Sequence, residues 1–265
     1  MKKRCALSLL LTLFLVLSLL GCDQKQETNQ SAETLANPVD GLSWGMTQDE
    51  ALAALPESCS FQNTYTIARR TYIDVDGFTG SLFGYAVDPA QDGFLKLEFL
   101  QPLSYEGVTH EPVLERLSAR VACDDFDKLK EAVSDIMGKP FEEREGGSID
   151  PSGMQKADAT VVWRPVGSGI QQYGEDVECL AAAMYGIYYG GNFPDGGDVT
   201  NLTQVEELGE LNLKNAEEVR KLDAYDDFRA GQLVIYDCTQ SDGFAILMLY
   251  GGLPVMAEAA ESHLK

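Results

Sequence analysis

Apolar and polar positions along this chain fall into three regimes. Residues 6–20, ALSLLLTLFLVLSLL, are mostly large and apolar and follow the positive start Met1-Lys2-Lys3-Arg4-Cys5. After Gly21-Cys22 the pattern reverses: DQKQETNQSAETLANPVD holds no aromatic residue and only two large apolar ones, Leu35 and Val39. From Gly41 onward apolar residues return at the spacings of helices and strands.

In that third regime, Leu95, Leu97 and Phe99 alternate with Lys96 and Glu98, the period-two signature of a half-buried antiparallel strand over Phe94–Leu100. Leu82–Val87 also reads as a strand, separated from it by the turn-rich DPAQDG. Phe126, Leu129, Val133 and Ile136 fall at helical spacing and predict a helix over Asp124–Met137. Asp124 is its expected cap, Asp127 sits at N3, and Gly138 and Pro140 end it. Upstream, Gly41-Leu42-Ser43-Trp44-Gly45-Met46 leads into Thr47-Gln48-Asp49-Glu50, a capping box with Met46 and Ala51 placed for a hydrophobic staple. Leu52 and Leu55 supply that short helix's inner face, and Pro56 stops it.

Ala159–Trp163 predicts a strand ended by Pro165, and Asn215–Leu222 a capped helix with Val219 and Leu222 inward. Leu233–Cys238 and Ala245–Tyr250 predict a hairpin around TQSDG, apolar on both faces and therefore central. The run Cys179–Tyr189, CLAAAMYGIYY, is too apolar for periodicity to resolve, and its later part reads as strand. This order implies an α+β fold: antiparallel sheet with a few short capped helices packed on one face. A faint repetition of helix-plus-strands suggests two similar lobes, 41–145 and 146–265, or one continuous domain.

The first regime changes the picture most. Its apolar stretch has the length of a secretory h-region and falls short of the roughly 20 residues a membrane-spanning helix needs. Leu19-Leu20-Gly21-Cys22 resembles the lipobox of bacterial lipoproteins. In that family a diacylglyceryl group is joined to the cysteine sulfur and a dedicated peptidase cuts just before it. The resemblance implies that residues 1–21 form a signal peptide, that Cys22 is the lipidation site, and that 22–40 is a flexible stalk. Two or more acyl chains hold a protein stably on a bilayer where one does not. The chain is then expected on the cell membrane, lipid-anchored and facing outside the cytoplasm. In double-membraned bacteria, Asp23 after the lipidated cysteine resembles a signal for staying on the inner membrane. The Trp44-Gly45-Met46-Thr47 opening, the aromatic-rich strands and the helix ending Gly138-Lys139-Pro140 loosely resemble bacterial lipoproteins with a β-lactamase-inhibitor-like layout. Members of that fold group often bind other proteins; the resemblance carries no catalytic residues.

Charge narrows the partners. The formal charge of −22 becomes −25 once Lys2, Lys3 and Arg4 leave with residues 1–21, which hold no acids. Such an acidic body is repelled by phosphate backbones, so nucleic-acid binding is excluded as a function class. With Cys5 in the signal and Cys22 lipidated, Cys59, Cys123, Cys179 and Cys238 remain. Outside the cytoplasm they permit two disulfides, most simply Cys59–Cys123 and Cys179–Cys238; four buried thiols is the alternative.

Candidate chemistry is sparse. The only two histidines are His110, in a segment between elements, and His263, near the end of the sequence. A catalytic triad or a histidine-rich zinc site would rest almost entirely on His110. No phosphate-binding glycine motif or G-x-S-x-G elbow occurs, and the residues imply no cofactor or metal. Asp74-Val75-Asp76-Gly77 begins like a calcium loop without the acids that should follow, and Asp195, Asp198, Asn201 and Glu206 lack EF-hand spacing. Tyr185, Tyr188, Tyr189 and Phe193 are a candidate stacking platform for a sugar or peptide side chain, or else a sheet core with a tyrosine rim. The sequence therefore favours a lipid-anchored extracytoplasmic binding or interaction module for a protein or small-molecule partner. The alternative is a cell-envelope hydrolase acting on glycan or peptide, which needs a cleft with two carboxylates or His110 beside an acid and a hydroxyl.

Overall fold

The computed structural model describes residue 39 and residues 41–67, 69–87, 95–104, 107–149, 155–164, 173–185 and 231–265. Its first helix, α1 (Gln48–Ala54), starts as its sequence dictates. The Thr47 side chain accepts from the Glu50 amide, and the Glu50 carboxylate accepts from the Thr47 amide at 2.9 Å. Ala51 is fully buried and Met46 packs against the same core. The Trp44–Thr47 segment is also tied to the sheet: the Gly45 amide donates to the Leu114 carbonyl and the Leu114 amide to the Met46 carbonyl.

Four strands of the first part follow: β1 (Ser60–Ile67), β2 (Arg70–Asp76), β5 (Leu95–Leu100) and β6 (Val113–Ala122). Between β2 and β5, the stretch expected as one strand is instead a tight hairpin, β3 (Ser81–Leu82) and β4 (Tyr85–Ala86). Phe83 and Gly84 both take positive φ, 51° and 81°, the pair of left-handed conformations that a primed two-residue turn requires. Glycine at the second position is what lets the chain reverse there.

Helix α2 (Phe126–Met137) is capped by Asp125, one residue later than expected, its carboxylate accepting from the Lys128 amide. Leu129, Val133 and Met137 are buried against the sheet, and Gly138 (φ 77°) ends the helix. The Gly138 carbonyl then accepts from the indole N–H of Trp163, which anchors the end of α2 to a strand. Strands β7 (Glu142–Glu145) and β8 (Ala159–Trp163), helix α3 (Glu175–Tyr185), strand β9 (Gln232–Cys238), the single turn α4 (Thr239–Asp242), strand β10 (Phe244–Tyr250) and helix α5 (Pro254–Leu264) complete the order. The β9–β10 hairpin is as predicted, with all of β9 buried. Of the ambiguous apolar run, Cys179–Tyr185 is helical; the rest of it, and the predicted helix at 215–222, lie outside the described residues.

The fold is α+β. Eight strands form one antiparallel sheet in the order β1-β2-β5-β6-β10-β9-β8-β7. The first four and last four run outward from a central β6–β10 pair in mirrored order, so two like units share one sheet. The change-over falls between β6 and α2, ahead of residue 145, because β7 pairs with β8. The largest apolar cluster joins Leu95, Leu97, Phe99, Leu117, Val121, Ile235, Leu247 and Leu249 to α1 and α2. A second joins α3 and α5 to Leu100 and Leu103, and Trp44 packs against both. Among the described residues no helix is long and apolar enough to cross a membrane.

Candidate functional site

The two ends of the sheet are built differently. β7, Glu-Glu-Arg-Glu, is charged and exposed at every position, which discourages another strand from adding to it. β1, Ser-Phe-Gln-Asn-Thr-Tyr-Thr-Ile, carries no charge at all and, among the described residues, pairs with β2 alone. Three of its large apolar side chains face solvent: Phe61 at 42%, Tyr65 at 41% and Ile67 at 53% exposure. The register slips between Gln62 and Tyr65, so the strand bulges in mid-course and its twist increases there. Beyond the bulge, Tyr65 stacks on Tyr72 of β2 with ring centroids 4.9 Å apart, nearly parallel. Thr66 and Thr71 share a hydroxyl hydrogen bond of 3.0 Å one step further on.

Behind this edge lies a row of ionised groups. By strand alternation, Arg70, Tyr72, Glu98 and Arg116 share the sheet face opposite Ile73, Leu97 and Leu117. Glu98, only 2% exposed, is held between two guanidiniums: Arg70 Nε lies 2.6 Å from one carboxylate oxygen, and Arg116 donates to the other. Arg116 also lies over the Tyr250 ring, 5.4 Å from its centroid. Tyr72 is pushed above the usual phenol range by burial, against the pull of Arg116 and Arg70.

A second bulge adds a further acid. Glu98 pairs with Arg116 and Phe99 with Leu114, which leaves Glu115 as the extra residue. Glu115 is 1% exposed and accepts from the Tyr185 hydroxyl of α3. Burial raises its carboxyl above the ordinary range, partly opposed by Arg70, and burial likewise pushes Tyr185 well up. Arg69 closes the arrangement from the turn between β1 and β2. Its guanidinium donates to the carbonyls of Gln101, at 2.9 and 2.7 Å, and of Met184, at 3.1 Å, and so caps the end of α3. Burial lowers its pKa to about 10, which leaves it cationic at neutral pH. Chemically the two carboxylates differ, Glu98 paired with two guanidiniums and Glu115 biased by burial toward its neutral form. Both are shut in, and their oxygens already serve Arg70, Arg116 and Tyr185. The row stiffens the sheet behind an open edge.

The residues singled out in the sequence are distributed unevenly. Tyr185 is no exposed platform, because its ring is 1% exposed and its hydroxyl is engaged with Glu115. Tyr188, Tyr189, Phe193, Asp195, Asp198, Asn201 and Glu206 lie outside the described residues, as do Cys22 and the rest of the stalk up to Val39, which is buried in the main core rather than part of a free tether. Cys59, Cys123 and Cys238 are free thiols, so Cys59 and Cys123 are not bridged here; of Cys179 only its place on α3 is described. Burial raises Cys59 and Cys123, and burial followed by the Asp237 charge pushes Cys238 up to about 11. Asp74 belongs to β2, 3.4 Å from the Lys96 ammonium, rather than to a cation loop. Among the described residues no three histidine, cysteine or acidic groups gather as a metal cluster. His110 and His263, far apart in sequence, are brought into contact.

Sequence reading missed β1, β2, β6 and β7, and the helix α5. The signal for the first two was present: Tyr65 and Ile67, then Tyr72 and Asp74, alternate on either side of Arg69 with β-branched neighbours. No protein-family model, no curated protein and no solved structure matches this chain.

Proposed function

We propose that this chain is an interaction module, held outside the cytoplasm on a membrane by a lipid at Cys22, which takes an extended segment of a partner protein along β1. The observation that carries the reading is the contrast between the two sheet edges. β7 is charged throughout, whereas β1 is uncharged and shows Phe61, Tyr65 and Ile67 to solvent. A strand added there gains main-chain hydrogen bonds for affinity, and alternate side-chain contacts give selectivity. The Tyr65–Tyr72 stack and the Arg70–Glu98–Arg116 row make that edge rigid in advance, which lowers the ordering cost of binding. The greasy N-terminal run ending at Cys22 supports the anchor, and the acidic body argues for a protein partner over nucleic acid.

A photo-reactive residue tests the edge in intact cells. Placed at Gln62 it should give discrete crosslinked products, and placed at Glu143 of β7 it should give none. Tyr65→Lys with Ile67→Lys, which charges β1 as β7 is charged, should abolish the products without changing the far-UV circular dichroism. Equal crosslinking from both edges, or none from either, would sink the reading. Metabolic labelling with a fatty acid should tag the protein and Cys22→Ala should abolish the tag; labelling that survives the substitution would remove the lipid anchor.

A further inference from the structure

The chain contains two histidines, 153 residues apart, and the fold sets them tip to tip. His110 Nε2 and His263 Nε2 are 2.8 Å apart, with ring centroids at 5.0 Å and ring planes near perpendicular, at 81°. Neither ring is there by accident of a loose end. The His110 carbonyl accepts from the Gln101 side chain, and Gln101 is fastened through its own amide and carbonyl to Arg69. His263 sits in the last turn of α5, a helix that packs on α3 through Val255, Met256 and Ala260. Both rings are only partly buried, which leaves the pair within reach of solutes.

In the neutral pair, one Nε2 carries a proton and the other accepts it. Moving that proton to the donor ring's Nδ1 turns both Nε2 atoms into lone-pair donors with no net proton released. Two nitrogens on one tetrahedral zinc, each at 2.0–2.1 Å, stand about 3.3 Å apart. The observed 2.8 Å therefore needs an opening of about half an ångström. We propose that His110 and His263 form a two-histidine site for a late first-row divalent cation, Zn²⁺, Ni²⁺ or Cu²⁺, which clamps the last turn of α5 to the segment between β5 and β6. Imidazole favours these ions, whereas Ca²⁺ and Mg²⁺ require oxygen ligands. Among the described residues no third histidine, cysteine or acid joins the pair, so the assignment rests on the two imidazoles, with water completing the shell.

Because only two histidines exist, the imidazole NMR spectrum of the full mature chain in detergent reads the site directly. Adding Zn²⁺ should move the signals of both rings together and saturate at one ion per chain, and equimolar Ca²⁺ should move neither. Movement of one ring alone, or of neither, would overturn the proposal. His110→Gln and His263→Gln supply the second arm, by calorimetric titration with Ni²⁺. Each should weaken binding by more than the about tenfold loss typical of removing an outer-shell partner. Unchanged Ni²⁺ affinity in both variants would assign the ion to the thiols instead and overturn the proposal. The free-state melting temperature of each variant shows whether it has folded, and the unsubstituted chain's NMR titration decides the matter where one has not.

Discussion

Glu98 shows at the scale of one residue what the sheet's charged face costs and provides. Its carboxylate is almost entirely removed from water, a placement tolerated because Arg70 and Arg116 flank it. Taking away one member of such a set leaves the others buried without compensation. Glu98→Gln should therefore destabilise the fold by about 3 kcal/mol, measured as a fall in the urea midpoint at constant slope. A loss below about 1 kcal/mol would show that the row is solvated and does not stiffen the edge. Glu115 predicts a pH dependence of definite sign. Its folded pKa is raised above the ordinary 4.5 by burial, so its contribution is full below that value and lost as pH rises through the folded one. Glu115→Gln removes this loss, and its stability should decline less than that of the unsubstituted chain between pH 4.5 and neutrality. Parallel pH–stability curves for the two would refute the assignment.

Among the elements, the junction of the Trp44 segment with α5 is closely packed. A Cβ added to Gly251 would lie 2.4 Å from Val255 and 2.7 Å from the Trp44 ring, closer than any carbon–carbon contact allows. Gly251→Ala should cost about 1–3 kcal/mol through overpacking and lower the melting temperature, with a red shift in Trp44 fluorescence as that ring is displaced. A neutral effect would mean that the ring has room to swing away. The same scale shows why element reading succeeded in some places and failed in others. The Thr47–Glu50 box and the α2 stripe of Leu129 and Val133 are local signals, complete within a few residues. β6 hid because the bulge at Glu115 breaks its alternation, so Leu114 and Leu117 fall out of step by one. The Leu82–Val87 run looked like one strand because its turn is made by Phe83, a residue that seldom takes positive φ.

For the whole molecule, the decisive contact is the pairing of β6 with β10 from Phe244↔Ala122 to Tyr250↔Arg116. It joins the two like units edge to edge, through the half-polar β6 of one and the apolar β10 of the other. Separate chains covering residues 39–122 and 123–265 would each expose one of these central edges. Each alone should aggregate or self-associate in size-exclusion chromatography, and co-expression should restore a soluble one-to-one complex. Two soluble monomeric halves would show that the units are independent domains.

What the sequence determined by itself was whatever depends on neighbours along the chain: the capped helices α1 and α2, the existence of strand β5, the central β9–β10 hairpin, the acidic character and the resemblance of residues 1–22 to a lipoprotein signal. These follow from capping, periodicity and charge, which act over a few residues or over none in particular. The tertiary structure alone decided that β1 lies at an uncharged edge, that Glu98 is enclosed by arginines from two other strands, that Tyr185 is buried on Glu115, and that His110 meets His263. Each depends on strand order and register, which are fixed by burying one apolar face across the whole sheet, and no short stretch of sequence contains that condition.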